Sequence, residues 1–319
     1  MNLTIEQLQS AYSQYLSQHP FQGNPKNLYD PMNYIMSLGG KRIRPILALI
    51  GNQIGGGNLE HGLSVGHTME VFHNFSLVHD DIMDRAHIRR GKPTVHKKWD
   101  EPTAILSGDN MLVKCFEILL NYQGPNKHEI TAAFAKTATE VCEGQQNDMD
   151  FGLSEHVVSE DDYFHMIEQK TAVLLGCSIQ CGFLSSGGNS LIAEKLKEFA
   201  IDMGLAFQLR DDYLDSFGSE SEIGKKQGGD ILEKKNTWLY IQSMNLVPIK
   251  TTQAFLLEGD ERINAVLDLW KEIGLDQLML SKIQEYHVKS EEILIELSNQ
   301  GYNIELLDSM SKWLLQRNS

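Results

Sequence analysis

Apolar positions along this chain recur at three- and four-residue intervals, the repeat of a helix with one buried face, whereas period-two alternation and β-branched runs bounded by turns do not recur. The reading is all-α. The pattern predicts helices over 4–18, 30–37, 43–54, 60–84, 101–121, 128–149, 160–185, 191–216, 234–244, 251–256, 260–274, 277–299 and 304–316. Gly39-Gly40, Gly55-Gly56-Gly57, Gly124-Pro125, Gly187-Gly188 and Gly228-Gly229 supply the breaks. No repeat, low-complexity tract or long linker divides the chain, so one helical domain is expected over residues 1–319.

Two of these helices depart from the one-faced pattern. Between Val65 and Met83 no charge falls between Glu70 and Asp80, and apolar side chains occupy every side, the mark of an element in the middle of a bundle. It ends in acid. The stretch from Phe199 to Asp215 behaves alike, FAIDMGLAFQL running into RDDYLDSFG, with Gly218 as the expected stop.

Composition narrows the function. The 319 residues are 41% hydrophobic and carry 43 acidic against 28 basic side chains, a formal charge of −15. Such a surface repels phosphate backbones and anionic lipid, so neither nucleic acid nor a membrane surface is an expected partner, unless basic residues gather at one site. Four cysteines (Cys115, Cys142, Cys177, Cys181) are too few for a disulfide scaffold and form no paired zinc motif, so reduced thiols are expected. Cys177 and Cys181 share a helix face and read as an apolar core pair. The first residues lack a basic n-region and an apolar h-region, and no apolar run reaches the ~20 residues of a membrane span, so a cytoplasmic location is expected.

The acids of the two unusual helices share one spacing: Asp80, Asp81 and Asp84 in DDIMD, and Asp211, Asp212 and Asp215 in DDYLD. Positions i and i+4 of a helix lie about 40° apart and about 6 Å along the axis, so each cluster presents at least two carboxylates on one face. Both sit at helix C-termini, where the macrodipole already disfavours negative charge, so a cation must compensate. Magnesium suits the donors, because it is held by one or two carboxylates together with substrate phosphates.

Basic residues stand in short groups beside glycine or threonine: Lys41-Arg42-Ile43-Arg44 after Gly39-Gly40, Arg89-Arg90 before Gly91, Lys170-Thr171, and Lys225-Lys226 through Lys234-Lys235. Together with two magnesium-type clusters they suggest a diphosphate pocket, with arginine forks, lysine point charges and close backbone approach at glycine.

With these residues in view the chain resembles the trans-isoprenyl diphosphate synthases (polyprenyl synthetases) of farnesyl and geranylgeranyl diphosphate type. The resemblance runs through GGKRIRP (39–45), HNFSLVHDDIMD (73–84), RRGKPTVH (89–96), GD (108–109), GQQND (144–148), YFHMIEQKTA (163–172), FQLRDDYLD (207–215) and GKKQGGDILEKKNTW (224–238). It implies an all-helical bundle around a deep cavity, a homodimer, and two acidic clusters facing each other across the cavity mouth. Three magnesium ions are implied with substrate bound. Asp80, Asp84 and Asp211 match direct ligands, and Asp81, Asp212 and Asp215 match holders of metal-bound water or orienting groups. Arg89, Lys170 and Lys225 match the grip on an allylic diphosphate, and Lys41, Arg44, His73 and Arg90 the grip on isopentenyl diphosphate. Thr171 and Gln208 match the carbocation region, and Lys235 closure of the site. His73, seven residues before Asp80, lies about 20° from it around the helix, so both face one side. Arg89 and Arg90, if helical, point about 100° apart and can serve different diphosphates.

The implied reaction is condensation: an allylic diphosphate (dimethylallyl, geranyl or farnesyl) loses its diphosphate with magnesium assistance, and isopentenyl diphosphate attacks the cation. A terpene cyclase and a non-catalytic regulatory subunit are the alternatives. Asp211-Asp212-x-x-Asp215 and the second basic set disfavour the cyclase, and the intact acids disfavour the regulatory subunit. For product length, Phe75 stands five residues before Asp80 and the small Ser76 four before. In resembling enzymes that pattern accompanies a twenty-carbon product, so geranylgeranyl diphosphate is expected, with farnesyl diphosphate as the alternative. An ideal helix places Phe75 about 140° from Asp80, so its role as a floor comes from the resemblance or from a bent helix.

Overall fold

A computed structural model describes residues 3–153, 157–219 and 227–315. In chain order its elements are α1 (Ile5–Gln18), α2 (Lys26–Ser37), α3 (Ile43–Ile54), α4 (Leu59–Met83), β1 (Ile88–Arg89), β2 (Lys92–Pro93), α5 (Val95–Lys98), α6 (Glu101–Asn121), α7 (Lys127–Leu153) and α8 (Glu160–Ile167). A π-helical turn (Glu168–Ala172) leads into α9 (Val173–Leu184) and α10 (Ser190–Phe217). Then come α11 (Gly229–Glu233), α12 (Trp238–Leu246), α13 (Pro248–Leu256), α14 (Gly259–Glu272), α15 (Leu275–Asn299) and α16 (Glu305–Leu315).

The all-α reading holds, and the differences from it are local. The second helix starts at Lys26 rather than 30, with Pro25 at its N-cap and Pro31 carried in the second turn, where it forgoes one helical hydrogen bond. The expected helix over 128–149 runs on to Leu153, and the one over 251–256 starts earlier, with Pro248 at its first position. The one over 234–244 begins only at Trp238, because the Thr237 side chain accepts from the Tyr240 N–H as its cap. Over 160–185 the periodic pattern hides the π-helical turn. Arg89 and Arg90 are not helical. They belong to a two-residue hairpin whose central Arg90 (φ 52°) and Gly91 (φ 73°) both have positive φ, as the tight primed turns of hairpins require.

Contacts divide the chain into two compact units, Met1–Ala138 with Cys177–Lys197, and Thr139–Gly176 with Glu198–Ser319. In the first unit α4 packs on α3 and α6, and α2 on α6. As its sequence predicted, α4 is buried round most of its circumference, from Leu63 through Val78 to Asp81. Two of its polar contacts are close: His67 Nδ1 lies 3.3 Å from the Tyr12 hydroxyl, and Asn74 Nδ2 donates to Glu70 Oε1 at 2.9 Å. Gly182 lets α9 meet α3 at backbone contact, since a Cβ there would lie 2.0 Å from the Ala48 carbonyl oxygen. Cys177 and Cys181 are buried there with sulfurs 3.6 Å apart, and all four cysteines are free thiols.

The second unit gathers its core around Trp238, Trp270, Tyr163 and Leu239, with α13 and α11 packed on α14 and α12 on α15. No described helix is long and apolar enough to cross a membrane.

Candidate active site

In the first unit a cavity of about 420 Å³ is lined by Leu38, Gly40, Lys41, Arg42, Ile43, Arg44, Glu70, His73 and Arg90. The turn from α2 to α3 builds it. Gly39 and Gly40 have φ 79° and 114°, and a Cβ at Gly40 would lie 2.6 Å from the Arg90 guanidinium carbon, so only glycine admits that side chain. Arg90 donates from Nη1 to the Gly39 carbonyl. Arg42, the left-handed N-cap of α3, turns its guanidinium onto the Met36 carbonyl and the buried Glu70 carboxylate.

Four cations thus face one anion, and that anion is already paired with Arg42. Arg44 is pushed down to about 10 by burial, with Glu70 opposing the shift and Arg90 adding to it. Its Nε is buried without a hydrogen-bond partner. Burial, then Arg44, Arg90, Arg89 and Arg42, push His73 well below its ordinary value, so it stays neutral and adds no further positive charge. A guanidinium with a buried, unmet donor beside a neutral imidazole has the chemistry to take an anion.

At the end of α4 the three acids separate. Asp81 is 1% exposed and takes a forked contact from Arg89, with Nε 2.9 Å from each carboxylate oxygen and Nη2 2.8 Å from Oδ1. The hairpin holds that guanidinium in place, and Thr94 ties its base by donating from Oγ1 to the Ala86 carbonyl at 2.8 Å. Asp80 is partly exposed and Asp84, at the helix C-cap, is exposed. Behind them Phe75 is buried against Phe72 and His79, with ring centroids at 5.4 and 4.9 Å. Ser76 bonds the His73 carbonyl at 2.9 Å.

The second unit has its own cavity of about 260 Å³, lined among others by Asp148, Tyr163, Lys170, Thr171, Gln208, Asp211, Asp212, Asp230 and Lys235. Asp211 is exposed and Asp212 is buried. The Tyr163 hydroxyl donates to Asp212 Oδ2 at 2.6 Å and Gln208 Nε2 to Oδ1 at 3.0 Å, yet burial still pushes the carboxyl up to about 7. Asp215, also buried, accepts the Asp230 N–H at 2.9 Å and so holds the start of α11. Lys170 is paired with Asp148. Lys235 lies 3.0 Å from Asp230 and 3.1 Å from Glu233. Burial alone lowers its affinity for a proton, but these two acids outweigh burial and hold the ammonium above its usual range.

The structure therefore brings Lys41, Arg44, His73 and Arg90 into one cavity, and Lys170, Thr171, Gln208, Asp211, Asp212 and Lys235 into another. Lys225 lies outside the described residues. Sequence reasoning placed Arg42 in a basic group without giving it a role of its own, and it missed Glu70 in the first cavity and Asp148, Tyr163 and Asp230 in the second. Two of these left a trace: Glu70 is the last charge before the apolar run of α4, and Asp148 closes the GQQND segment.

Among the described residues no three His, Cys, Asp or Glu side chains converge into a metal cage. The donor set still suits magnesium, which needs only one or two carboxylates when a substrate's phosphates complete its shell. Asp80, Asp84 and Asp211 are the acids that reach solvent, while Asp81, Asp212 and Asp215 are committed to neighbours.

Comparison with known proteins agrees with this chemistry. Residues 25–270 match the polyprenyl synthetase family. The chain is 41% identical to a geranylgeranyl diphosphate synthase of Methanosarcina mazei over 221 residues, covering 69% of this chain and 68% of that protein. It is 33% identical to a short chain isoprenyl diphosphate synthase of Methanothermobacter thermautotrophicus over 299 residues, covering 92% and 91%. A solved geranylgeranyl pyrophosphate synthase superposes over the full length of both chains with a TM-score of 0.92 at 38% identity.

Proposed function

This chain belongs to the polyprenyl synthetase family, and from that premise we propose that it is a short-chain prenyltransferase condensing isopentenyl diphosphate with an allylic diphosphate, with geranylgeranyl diphosphate as the main product. The observation that carries the reading is the basic cavity in an acidic chain, with the buried, unpartnered Nε of Arg44 at its wall. The family resemblance makes residues 1–319 one catalytic domain.

In the first cavity Lys41, Arg44 and Arg90 take the diphosphate of isopentenyl diphosphate, and His73, held neutral, hydrogen-bonds without adding to the repulsion among the arginines. In the second, Lys170 and Lys225 hold the allylic diphosphate, with Thr171 and Gln208 offering oxygen dipoles to the developing cation and Lys235 closing the site. Arg89 gives Nε and Nη2 to Asp81, which leaves Nη1 for the allylic diphosphate. Asp80, Asp84 and Asp211 would hold magnesium, three ions by the family resemblance, and the metal would supply charge neutralisation to the leaving diphosphate. The allylic C–O bond breaks with its electrons on the diphosphate, the double bond of isopentenyl diphosphate closes onto the freed carbon, and the departed diphosphate accepts the proton then lost. Phe75 limits chain growth from below.

A cytoplasmic homodimer belongs to the same proposal. Leu106, Val113 and Leu120, spaced by seven on α6 and 60%, 55% and 65% exposed, form an apolar stripe suited to a second copy of the same surface. Incubation of the purified chain with magnesium, isopentenyl diphosphate and each allylic starter tests the reaction: twenty-carbon product is expected, and release of cyclic hydrocarbon or no turnover at all overturns it. Phe75→Ala lengthens the product, and an unchanged length distribution removes the floor. Arg90→Ala raises KM for isopentenyl diphosphate about tenfold more than for the allylic substrate, and Arg89→Ala the reverse.

A further inference from the structure

Lys170 and Thr171 sit on the π-helical turn Glu168–Ala172, and π-helical turns lack the regular i→i−4 bonding that fixes an ordinary helix. Something else must hold this one in register. The neighbouring helix does so at three points. Gly144 of α7 lets the backbones touch, since a Cβ there would lie 2.4 Å from the Lys170 nitrogen and 2.8 Å from the Gln169 carbonyl carbon. Asp148, one turn further along α7, pairs with the Lys170 ammonium. Between these two contacts the Gln169 side chain, 9% exposed, bridges two residues of α7. Its Nε2 donates to Glu143 Oε2 at 3.1 Å, and its Oε1 accepts from Asn147 Nδ2 at 3.2 Å.

We infer that Gln169 is a positioning residue that sets the reach of Lys170 and Thr171 toward the allylic diphosphate. The side chain does not line the cavity, whereas both residues after it do. It therefore acts through them. The bridge needs an amide, because one end must donate to a carboxylate while the other accepts from an amide. A glutamate here keeps the Asn147 contact but sets one carboxylate against another at Glu143. The inference rests on the prenyl-transfer reading for the identity of the anion, and on geometry alone for the bridge.

The test uses the full chain and a charge exchange across the bridge. Gln169→Glu raises KM for the allylic diphosphate and lowers kcat, each about tenfold, and leaves KM for isopentenyl diphosphate within about twofold. The double variant Gln169→Glu/Glu143→Gln restores a donor facing an acceptor and returns both parameters to within about threefold of the starting chain. Gln169→Met, of similar volume and uncharged, lowers activity in the same direction and serves if the charged variant fails to fold. Calorimetric titration with inorganic diphosphate and magnesium provides a readout independent of turnover: affinity falls about tenfold in Gln169→Glu and recovers in the double variant. Wild-type allylic KM in both folded single variants, or a double variant no better than Gln169→Glu, overturns the bridge. A starting chain that forms no product while the diphosphate titration still follows the exchange overturns the prenyl-transfer reading and leaves the bridge standing.

Discussion

The five-residue pattern DDxxD occurs twice, and the fold handles its two copies in different ways. In both, the second acid turns inward: Asp81 is 1% and Asp212 is 7% exposed. At Asp81 a hairpin delivers the Arg89 guanidinium, so the buried charge meets a full opposite charge. At Asp212, among the described residues, a hydroxyl and an amide arrive, from Tyr163 and Gln208, and burial lifts the carboxyl to about 7. The fifth positions differ as well. Asp84 is exposed because α4 ends at Met83, whereas Asp215 is buried because α10 continues to Phe217 and the start of α11 rests on it. Equal spacing thus does not give equal exposure, and the neighbours decide what the inner acid costs.

The largest test asks whether the first acids of the two motifs, partly exposed Asp80 and exposed Asp211, are equivalent despite these different supports. Asp80→Ala and Asp211→Ala are each expected to lower kcat about a thousandfold, about 4 kcal/mol of barrier, with unchanged far-ultraviolet dichroism. Full activity in either variant breaks the equivalence.

Next comes the pH dependence of stability, measured by denaturant unfolding in the presence of chelator. Asp212, whose folded value is raised to about 7 from 3.8, contributes stability that is present below pH ~4 and lost as pH rises through ~7, a fall of about 4 kcal/mol. In the first unit His67, pushed down to about 4 by burial, His19 and Arg42, works the other way. Its contribution is present above pH ~6.5 and lost as pH falls through ~4, about 3 kcal/mol. The two slopes oppose each other in the intact chain. Asp212→Asn is expected to leave stability that rises with pH across this window, and His67→Gln to leave stability that falls. A variant whose slope matches the parent removes that group from the account.

The smallest effect compares the supports themselves. Arg89→Met strands a buried carboxylate and is expected to cost about 3 kcal/mol. Tyr163→Phe leaves Gln208 in place and is expected to cost about 1 kcal/mol. Equal losses in urea unfolding would show that the charged and neutral supports are interchangeable.

The sequence by itself determined the helical class, the depth at which α4 lies in its unit, the two acidic clusters and most of the basic set. These follow from local periodicity, from charge placed where a helix dipole opposes it, and from residue order. It did not reveal the hairpin under Arg89 and Arg90, since four strand residues carry no periodic signal. Nor did it reveal the π-helical turn under Lys170, since one extra residue in a helical turn leaves the apolar spacing almost unchanged. Which acids stay exposed, which arginine answers Asp81, and why Asp148, Tyr163 and Glu70 belong with residues far from them in sequence were decided only by tertiary structure. The price of burying a charge depends on what stands within hydrogen-bond reach, and in a folded chain those neighbours come from segments that sequence spacing does not connect.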